Sequence, residues 1–465
     1  MGSAAQANVQ RYLLGQLAQM GVAAQVWQPQ PQGPADVVAT LRGAHSTGAV
    51  LLVAHYDTMP AAPGGADNAS GVATLLEVVR ALQAGPPLRN DLIVLLSDGE
   101  EKGLLGARAF AAAHPAMAQV RVALNLDTAS YGPIILVAAG PQEGWLVSEL
   151  GRLQPMPITS SAIRAIYSLM PFDNDLSALS AHGVPGAWLT SAAPFPQEHT
   201  AQDTPSVVQP ASLQAMGDMA LTWARRFGSL DLAASQPPDG GVICFSLPGL
   251  LLYYPAGWAL PIAGVTAALY ALLVTWGVRR HGIRGRGLAL AILALLAALI
   301  TAPVTALLLW QALQAAWPAL RPPHLFTHYA GDAEILIALC AVALIPAGAL
   351  CGWLAHRALA DEMALAALLP WLAAVAVSSL TLPAISYAFA WPLLSALVAV
   401  GLTWRLPRVW QHALAFLGAL PAVLIWAPSL YLLYMGTALT FLPAIAAGLA
   451  LLWSLAATHR CWPTS

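Results

Sequence analysis

Charged residues are scarce in this chain of 465 residues: 9% are charged, whereas 58% are hydrophobic. Because soluble globular domains carry roughly 25% charged residues, most of this chain cannot be water-soluble. Lysine is nearly absent, with Lys102 as its single example, and the formal net charge is −2. The lack of a basic cluster excludes a nucleic acid as partner. No cysteine precedes Cys244, which excludes a disulfide framework and a thiolate metal site in the first half of the chain.

The charge that is present is distributed unevenly. Residues 1–240 contain 18 of the 22 acidic residues and 11 of the 20 basic residues, so a polar part and an apolar part are joined end to end. We therefore expect a polar domain at residues 1–228, a linker at 229–254 and a membrane domain at 255–465.

The apolar part contains uncharged stretches of about 20 residues, the length that crosses a bilayer core. These stretches predict about seven transmembrane helices, at roughly 256–276, 290–310, 334–354, 364–383, 386–404, 413–434 and 437–457. No charged residue lies in the middle of a predicted span, which favours anchoring in the lipid bilayer over ion-coupled transport.

Arginines predict the orientation of these helices. Eight arginines lie on one side of the predicted membrane domain and Arg321 alone lies on the other. The positive-inside rule then places the carboxyl terminus in the cytoplasm and the polar domain outside it, as in a bacterial inner membrane. Since the amino terminus lacks the pattern of a signal peptide, we expect a further membrane helix upstream in the natural protein.

The polar domain alternates short aliphatic runs with helical patterns. Strands are predicted at 36–43, 49–57, 91–98, 120–127, 133–138 and 186–190, and helices at 70–84, 103–114, 143–153 and 206–226. This alternation predicts an α/β fold, with a mixed sheet sandwiched by helices, followed by an all-α polytopic membrane domain. Ligands of such sheets bind at the carboxyl ends of the strands.

Polar residues cluster at those predicted strand ends. His55 and Asp57 end one strand in an H-x-D pattern, which suits a metal-ligating imidazole with a supporting carboxylate; the alternative is a strand-end histidine beside a turn aspartate. Asp67 lies in the Gly-rich segment "GGADNASGV", where Asp67, Asn68 or Ser70 can instead serve only as a helix cap.

Three further positions share this pattern. Glu100 and Glu101 follow a strand in "LLSDGEEKGLLG", where the alternative is an acidic first helical turn. Asp127 ends an apolar strand, an expensive place for an unpaired carboxylate. His199 lies in the loop "PQEHTAQDT", with Asp203 as a candidate supporting acid; the alternative is an exposed loop histidine.

Together these positions provide two histidines, three carboxylates and one further glutamate. The combination fits a hydrolytic site in which two cations share one carboxylate. Imidazole and carboxylate ligands without thiolates favour two Zn²⁺ ions, with Mn²⁺ or Co²⁺ as substitutes.

At these residues the sequence resembles the di-zinc aminopeptidase family that includes aminopeptidase Y, bacterial leucyl aminopeptidases and the glutamate carboxypeptidases. The matching segments are "VAHYDT", "GADNASGVATLLE", "SDGEEKGLLGARAF", "NLDTAS" and "EHTAQDTPSVV", spread through residues 1–226. The resemblance implies one zinc on His55 and Asp127, a second zinc on Glu101 and His199, a bridging Asp67, a general base at Glu100, and Asp57 orienting His55.

The layout of a catalytic domain followed by membrane helices resembles the membrane-anchored subgroup of the endoplasmic reticulum metallopeptidase. The segment "FDNDLSALSAHGVPG" is similar to the acidic loop of that subgroup, with Asp173 and Asp175 in the acidic positions. Tyr167 lies near the point where soluble aminopeptidases place a tyrosine. These three residues are candidates for substrate binding.

The expected function is that of a membrane-anchored zinc aminopeptidase that removes the first residue of a peptide. The alternatives are a carboxypeptidase or other amide hydrolase, a non-catalytic receptor or chaperone-like module, and a transporter with an attached peptidase domain. The expected partners are a peptide substrate and the lipid bilayer; no sequence feature indicates an oligomeric state.

Overall fold

A seven-stranded mixed sheet organises the first part of the chain in the computed structural model, which describes residues 3–168, 173–193, 197–234, 241–322, 329, 331–355, 360–437 and 439–456. The strands are β1 (Ala24–Trp27), β2 (Asp36–Leu41), β3 (Ala49–His55), β4 (Asp91–Ser97), β5 (Val120–Leu126), β6 (Ile134–Ala139) and β7 (Gly186–Ser191). Their order is β1-β2-β4-β3-β5-β7-β6. The centre β4-β3-β5-β7 is parallel, and the other pairings are antiparallel.

Helices cover both faces of this sheet. They are α1 (Ala4–Gln19), α2 (Ala69–Gln83), α3 (Leu105–Ala113), α4 (Glu143–Leu150), α5 (Ser161–Tyr167), α6 (Asp175–Ser180) and α7 (Pro210–Ser229). Because side chains alternate along a strand, Val50 and Leu52 of β3 join the core cluster under α2 and α7, whereas Leu51 and Val53 join the one under α3 and α6. The layered arrangement confirms the predicted α/β fold class.

Two parts of this unit differ from the expectations based on sequence. Helix α1 buries only Leu13 and Leu17, so the spacing of its hydrophobic residues is too weak a pattern to predict a helix. In the segment expected to be a linker, β8 (Val242–Leu247) and β9 (Leu250–Pro255) form an antiparallel hairpin. A bridge between Ser160 and Phe245 attaches this hairpin to the preceding chain.

The chain divides into two compact units, Met1–Pro255 and Ala256–Ser465. The second unit contains α8 (Ala259–Arg280), α9 (Gly285–Ala316), α10 (Asp332–Ala355), α11 (Ala360–Thr381), α12 (Tyr387–Thr403), α13 (Gln411–Thr437) and α14 (Leu442–Ala456). Within the described residues, five helices are long and apolar enough to cross a membrane, namely α8, α9, α10, α11 and α13. Helices α12 and α14 are apolar but shorter.

A buried carboxylate joins two of these apolar helices. Glu362, at the start of α11, is fully buried and accepts hydrogen bonds from the backbone N–H of Arg284 at 2.9 Å and from its Nε at 3.2 Å. The carboxylate thus satisfies a donor at the start of α9, where the helix dipole also favours negative charge. A Cβ at Gly287 would lie 2.0 Å from this carboxylate, so a glycine allows its close approach.

We predict that Asn90→Ala destabilises the first unit by about 2–4 kcal/mol, because it leaves several buried polar groups unpaired. Asn90 is fully buried; its Oδ1 accepts from the backbone and hydroxyl of Thr47, and its Nδ2 donates to the carbonyls of Phe227 and Leu230. Thermal unfolding of the full chain in detergent should show a melting temperature at least about 5 °C lower. Asn8→Ala, at an exposed position of α1, is the matched control, and equal melting of the two variants would contradict this prediction.

Candidate metal centre

The candidate site lies where the central parallel strands end. His55 at the end of β3 pairs in register with Ser97 at the end of β4, so the residues that follow these strands lie side by side. Glu100 and Glu101 begin a short 3-10 helix after β4, and Asp127 follows directly after β5. The parallel topology therefore brings residues from three separate segments to one edge of the sheet.

Two loops complete the site, and a buried aspartate holds them together. Asp203 accepts hydrogen bonds from the backbone N–H groups of Ala66 and Asp67, at 2.7 and 3.2 Å. The loop of Asp203 also carries His199, so this clamp fixes His199 beside Asp67. A Cβ at Gly65 would lie 2.3 Å from a backbone carbon of the same loop, which explains why glycine is needed there. The Asp203 carboxylate thus supports the Asp67 loop by binding backbone N–H groups of that loop.

The central feature of the site is that the two oxygens of Asp67 face two different imidazoles. The distance from His55 Nε2 to Asp67 Oδ1 is 3.2 Å, and from His199 Nε2 to Asp67 Oδ2 it is 3.1 Å. His55 Nε2 is also 3.4 Å from Asp127 Oδ1, and His199 Nε2 is 3.1 Å from Glu101 Oε2. The side chains form two groups that share one carboxylate.

These distances fit metal coordination. Tetrahedral zinc ligands about 2.0–2.1 Å from the ion lie roughly 3.3 Å from one another, close to the separations within both groups. His55, Asp67 and Asp127 each offer a ligand atom within 4.8 Å of the other two. Glu101 Oε1 is buried and has no hydrogen-bond partner among the described residues, which suits an oxygen that binds a cation. The side chains present therefore fit divalent metal ions.

Asp57 connects a candidate metal ligand to the candidate general base. Its carbonyl oxygen lies 3.1 Å from His55 Nδ1, a distance that allows Nδ1–H to donate and leaves Nε2 free as a ligand. Its Oδ1 lies 3.6 Å from the same nitrogen and accepts the backbone N–H of Glu100 at 3.1 Å. Asp57 therefore fixes the imidazole and the start of the Glu100 turn together.

The carboxylates around the two histidines favour positive charge. Hydrogen bonds with Asp67 and Glu101 raise the pKa of His199 to about 11. Burial opposes protonation of His55, but contacts with Asp127, Asp57 and Asp67 outweigh it and raise the pKa. Because a metal ligand must be deprotonated, bound cations would take the place of these protons and satisfy the same carboxylates.

Glu100 and Glu198 lie where burial makes their carboxylates hard to ionise. Burial raises the pKa of Glu100 to about 9, and the charge of Asp127 adds to this effect against an opposing contribution from His55. Removal of its carboxylate from water and the charge of Asp67 raise the pKa of Glu198 to about 7, although the residue as a whole remains exposed. Divalent cations beside them would lower both values.

The three candidate substrate-binding residues have different environments. Tyr167 packs edge to face against Trp188, with ring centroids 4.9 Å apart. Asp173 is exposed and lies 3.8 Å from Arg108 in a surface ion pair. Asp175 is buried and accepts a hydrogen bond from Ser97 Oγ, while its Oδ1 has no hydrogen-bond partner within the described part of the chain. Asp175 is thus buried beside the end of β4, whereas Asp173 lies on the surface.

Two residues that the sequence reasoning assigned no site role are important in this geometry. Asn68 caps α2 by accepting from the N–H of Gly71, and it also donates to the carbonyl of Leu126 at 2.8 Å, which joins α2 to the end of β5. Glu198 offers an oxygen within 4.8 Å of ligand atoms of Asp67 and His199. Its position directly before His199 was the available signal in the sequence.

The sheet and its edge define the class of this unit: an α/β domain with candidate metal ligands at the carboxyl ends of parallel strands. The sequence profile of peptidase family M28 matches residues 36–224. This part of the chain is therefore a peptidase family M28 domain. The match confirms the resemblance inferred from the sequence motifs.

Named relatives include proteins of eukaryotic membranes. Endoplasmic reticulum metallopeptidase 1 of Rattus norvegicus is 30% identical over 216 residues, 45% of this chain and 24% of that protein. The vacuolar membrane protease of Candida albicans is 31% identical over 179 residues, 38% of this chain and 21% of that protein. The chain thus aligns with about a quarter of the length of these relatives. Among solved structures, the LapA aminopeptidase of Legionella pneumophila is similar, with a TM-score of 0.40, 15% identity, and coverage of 49% of this chain and 66% of that one.

We predict that Asp67→Asn weakens metal binding at both groups, by at least about tenfold, because one carboxylate faces both histidines. Metal content of the purified full chain, measured by mass spectrometry after dialysis against a weak chelator, checks this. The exposed Asp218→Asn is the matched control and should keep its metal. Unchanged metal content in the Asp67 variant would rule out a shared carboxylate.

Proposed function

We propose that this protein is a membrane-anchored zinc aminopeptidase that removes amino-terminal residues from peptides with two metal ions. The observation that carries the proposal is the sharing of Asp67 between His55 and His199. A carboxylate with an imidazole at each oxygen suits a pair of cations, one in each group. The first group would consist of His55, Asp67 and Asp127, and the second of Asp67, Glu101 and His199.

Bound zinc ions would supply Lewis acidity toward the scissile carbonyl and the attacking water. The protein's own contribution is proton transfer by Glu100. Its carboxylate is partly buried at the edge that holds the ligands, and its backbone N–H is fixed by Asp57. Glu100 would accept the proton of the attacking water and return it to the leaving amine, as a general base and then a general acid. Burial raises the pKa of Glu100, which favours its holding a proton for the leaving amine.

The charge of the site favours an amino terminus over a carboxyl terminus as the end that is recognised. Six carboxylates surround the two histidines, namely Asp57, Asp67, Glu100, Glu101, Asp127 and Glu198. Two divalent cations offset four of these negative charges, which leaves an excess that attracts an ammonium group. A carboxypeptidase would instead need an excess of positive charge there.

We predict that the full chain hydrolyses a peptide with a free amino terminus and leaves its amino-blocked counterpart intact. Glu100→Gln should lower turnover of the free peptide by at least about a hundredfold, because the glutamine cannot accept a proton. Chromogenic peptide amides in free and acetylated forms provide the measurement.

Metal content is the control for this prediction. Glu100→Gln should retain the metal of the unmodified protein, since the proposed ligands are unchanged. Cleavage of the blocked amide alone would assign the site to another amide hydrolase, and cleavage of an acetylated peptide with a free carboxyl terminus would assign it to a carboxypeptidase. Metal-free protein without turnover would favour a binding module.

We also propose that the polar unit lies outside the cytoplasm of a bacterial inner membrane. The arginines support this proposal: Arg279 and Arg280 end α8, Arg286 lies in the first turn of α9, and Arg405 follows α12. Basic residues at these ends suit a cytoplasmic surface.

A green fluorescent protein or an alkaline phosphatase joined after Ser465 should report this orientation. We predict that the fusion to green fluorescent protein is fluorescent, because this protein folds in the cytoplasm. The fusion to alkaline phosphatase should be inactive, because that enzyme folds only outside the cytoplasm. The reverse result would place the carboxyl terminus outside.

A further inference from the structure

One end of the apolar unit carries a group of exposed arginines. They lie in the last turn of α8, at the start of α9 and just after α12, namely Arg279, Arg280, Arg284, Arg286 and Arg405. Glu362 pairs with Arg284. Among the described residues of this unit, Arg279, Arg280 and Arg286 form no ion pair, so this end carries an excess of positive charge.

An aromatic cluster joins the ends of α8 and α12 beside these arginines. The rings of Trp276 and Trp404 meet edge to face with centroids 5.3 Å apart, and His281 stacks on Trp404 at 4.5 Å. The Arg405 guanidinium lies 4.8 Å from the centre of the Trp276 ring. Within the described part of the chain this guanidinium makes no hydrogen bond or ion pair, so its N–H groups are available to a ligand.

Close backbone packing holds the two tryptophans in position. A Cβ at Gly277 would lie 3.1 Å from the Trp404 ring and 2.3 Å from the side chain of Ile283, so a glycine lets these groups approach α8. The carbonyl of Gly277 accepts the backbone N–H of His281 at 2.9 Å. Trp404 Nε1 in turn donates to Asp361 at 3.0 Å. The aromatic surface beside Arg405 is therefore built into the fold.

Exposed apolar side chains accompany the arginines. Val278 in the last turn of α8 is 52% exposed, and Val409 and Trp410 in the short turn after α12 are 80% and 56% exposed. Tryptophan and arginine together are typical of the boundary between lipid headgroups and hydrocarbon. The 22 residues of α8 span about 33 Å, enough to carry Arg279 and Arg280 across the hydrocarbon core to the headgroups.

We propose that this end of the apolar unit binds the headgroups of anionic phospholipids, with Arg405 donating to a phosphate beside the Trp276 ring. A guanidinium forms paired hydrogen bonds with phosphate oxygens, and its position against a ring fixes their direction. Arg279 and Arg280 add attraction for a headgroup with net negative charge. Phosphatidylcholine lacks this net charge, because its choline offsets the phosphate. The inference concerns the apolar unit alone and is independent of the proposed peptidase activity.

The test is native mass spectrometry of the full chain in uncharged detergent, titrated with phosphatidylglycerol or with phosphatidylcholine of the same acyl chains. We expect phosphatidylglycerol to bind at least about tenfold more tightly. Arg405→Gln should reduce this preference about fivefold, and the double variant Arg279→Gln with Arg280→Gln should reduce it further. The matched control is Arg321→Gln, an exposed arginine beyond the opposite end of α9, which should keep the preference.

Two further measurements separate headgroup binding from an effect on folding. Melting temperatures of all variants in phosphatidylcholine should stay within about 2 °C of the unmodified protein, because the altered side chains are exposed. Arg405→Lys should retain part of the preference, since it keeps the charge and loses the planar pair of donors.

Four outcomes would overturn the inference. Equal binding of the two lipids by the unmodified protein removes the preference itself. A preference unchanged in Arg405→Gln and in the double variant, or lost equally in Arg321→Gln, places the lipid elsewhere. Displacement of phosphatidylglycerol by inorganic phosphate at an equal concentration assigns the arginines to a soluble anion. None of these results bears on the metal centre of the first unit.

Discussion

The arrangement of this protein's polar unit depends on one buried carboxylate, Asp67, and the need to balance its charge. Burial alone would raise the pKa of Asp67, but contacts with His199 and His55 hold that pKa below its usual range. A charged carboxylate in such a place is stable only if positive groups meet both of its oxygens. The end of β3, the loop before α2 and the loop around His199 must therefore meet at one point, and the rest of the unit holds them there.

The supporting contacts are hydrogen bonds between distant segments. Asp203 binds two backbone N–H groups of the Asp67 loop, although it lies 136 residues further along the chain. Asn68 caps α2 and also contacts the end of β5, which positions Asp127. Asp57 holds both His55 and the turn of Glu100. Each of these side chains is itself buried or partly buried, so each helps to hold the candidate ligands in place.

The apolar unit follows a different principle, because its charged side chains make their contacts near helix ends. Glu362 pairs with the start of α9, and Asp361 accepts a hydrogen bond from the indole of Trp404 at 3.0 Å. The mean hydropathy of the chain is +0.65, and the middles of these helices are uncharged. This pattern agrees with a unit that anchors the protein in a bilayer, where charge is costly except near the surface. Five of these helices are long and apolar enough to cross a membrane, and the candidate metal ligands all belong to the first unit.

The sequence by itself determined the fold class, the family and the order of the principal strands and helices, because hydrophobic periodicity and short motifs are local signals. It indicated β3, β4 and β5 to within two residues at each end, since fully buried strands read as continuous aliphatic runs. The sequence did not predict helix α1 or the β8–β9 hairpin, because their stability depends on contacts with other segments. Only the tertiary structure decided that Asp203 clamps the Asp67 loop, that Asp175 is buried while Asp173 is exposed, and that Glu198 lies beside the ligands. These are distances between residues far apart in the chain, and no local pattern of side chains encodes them.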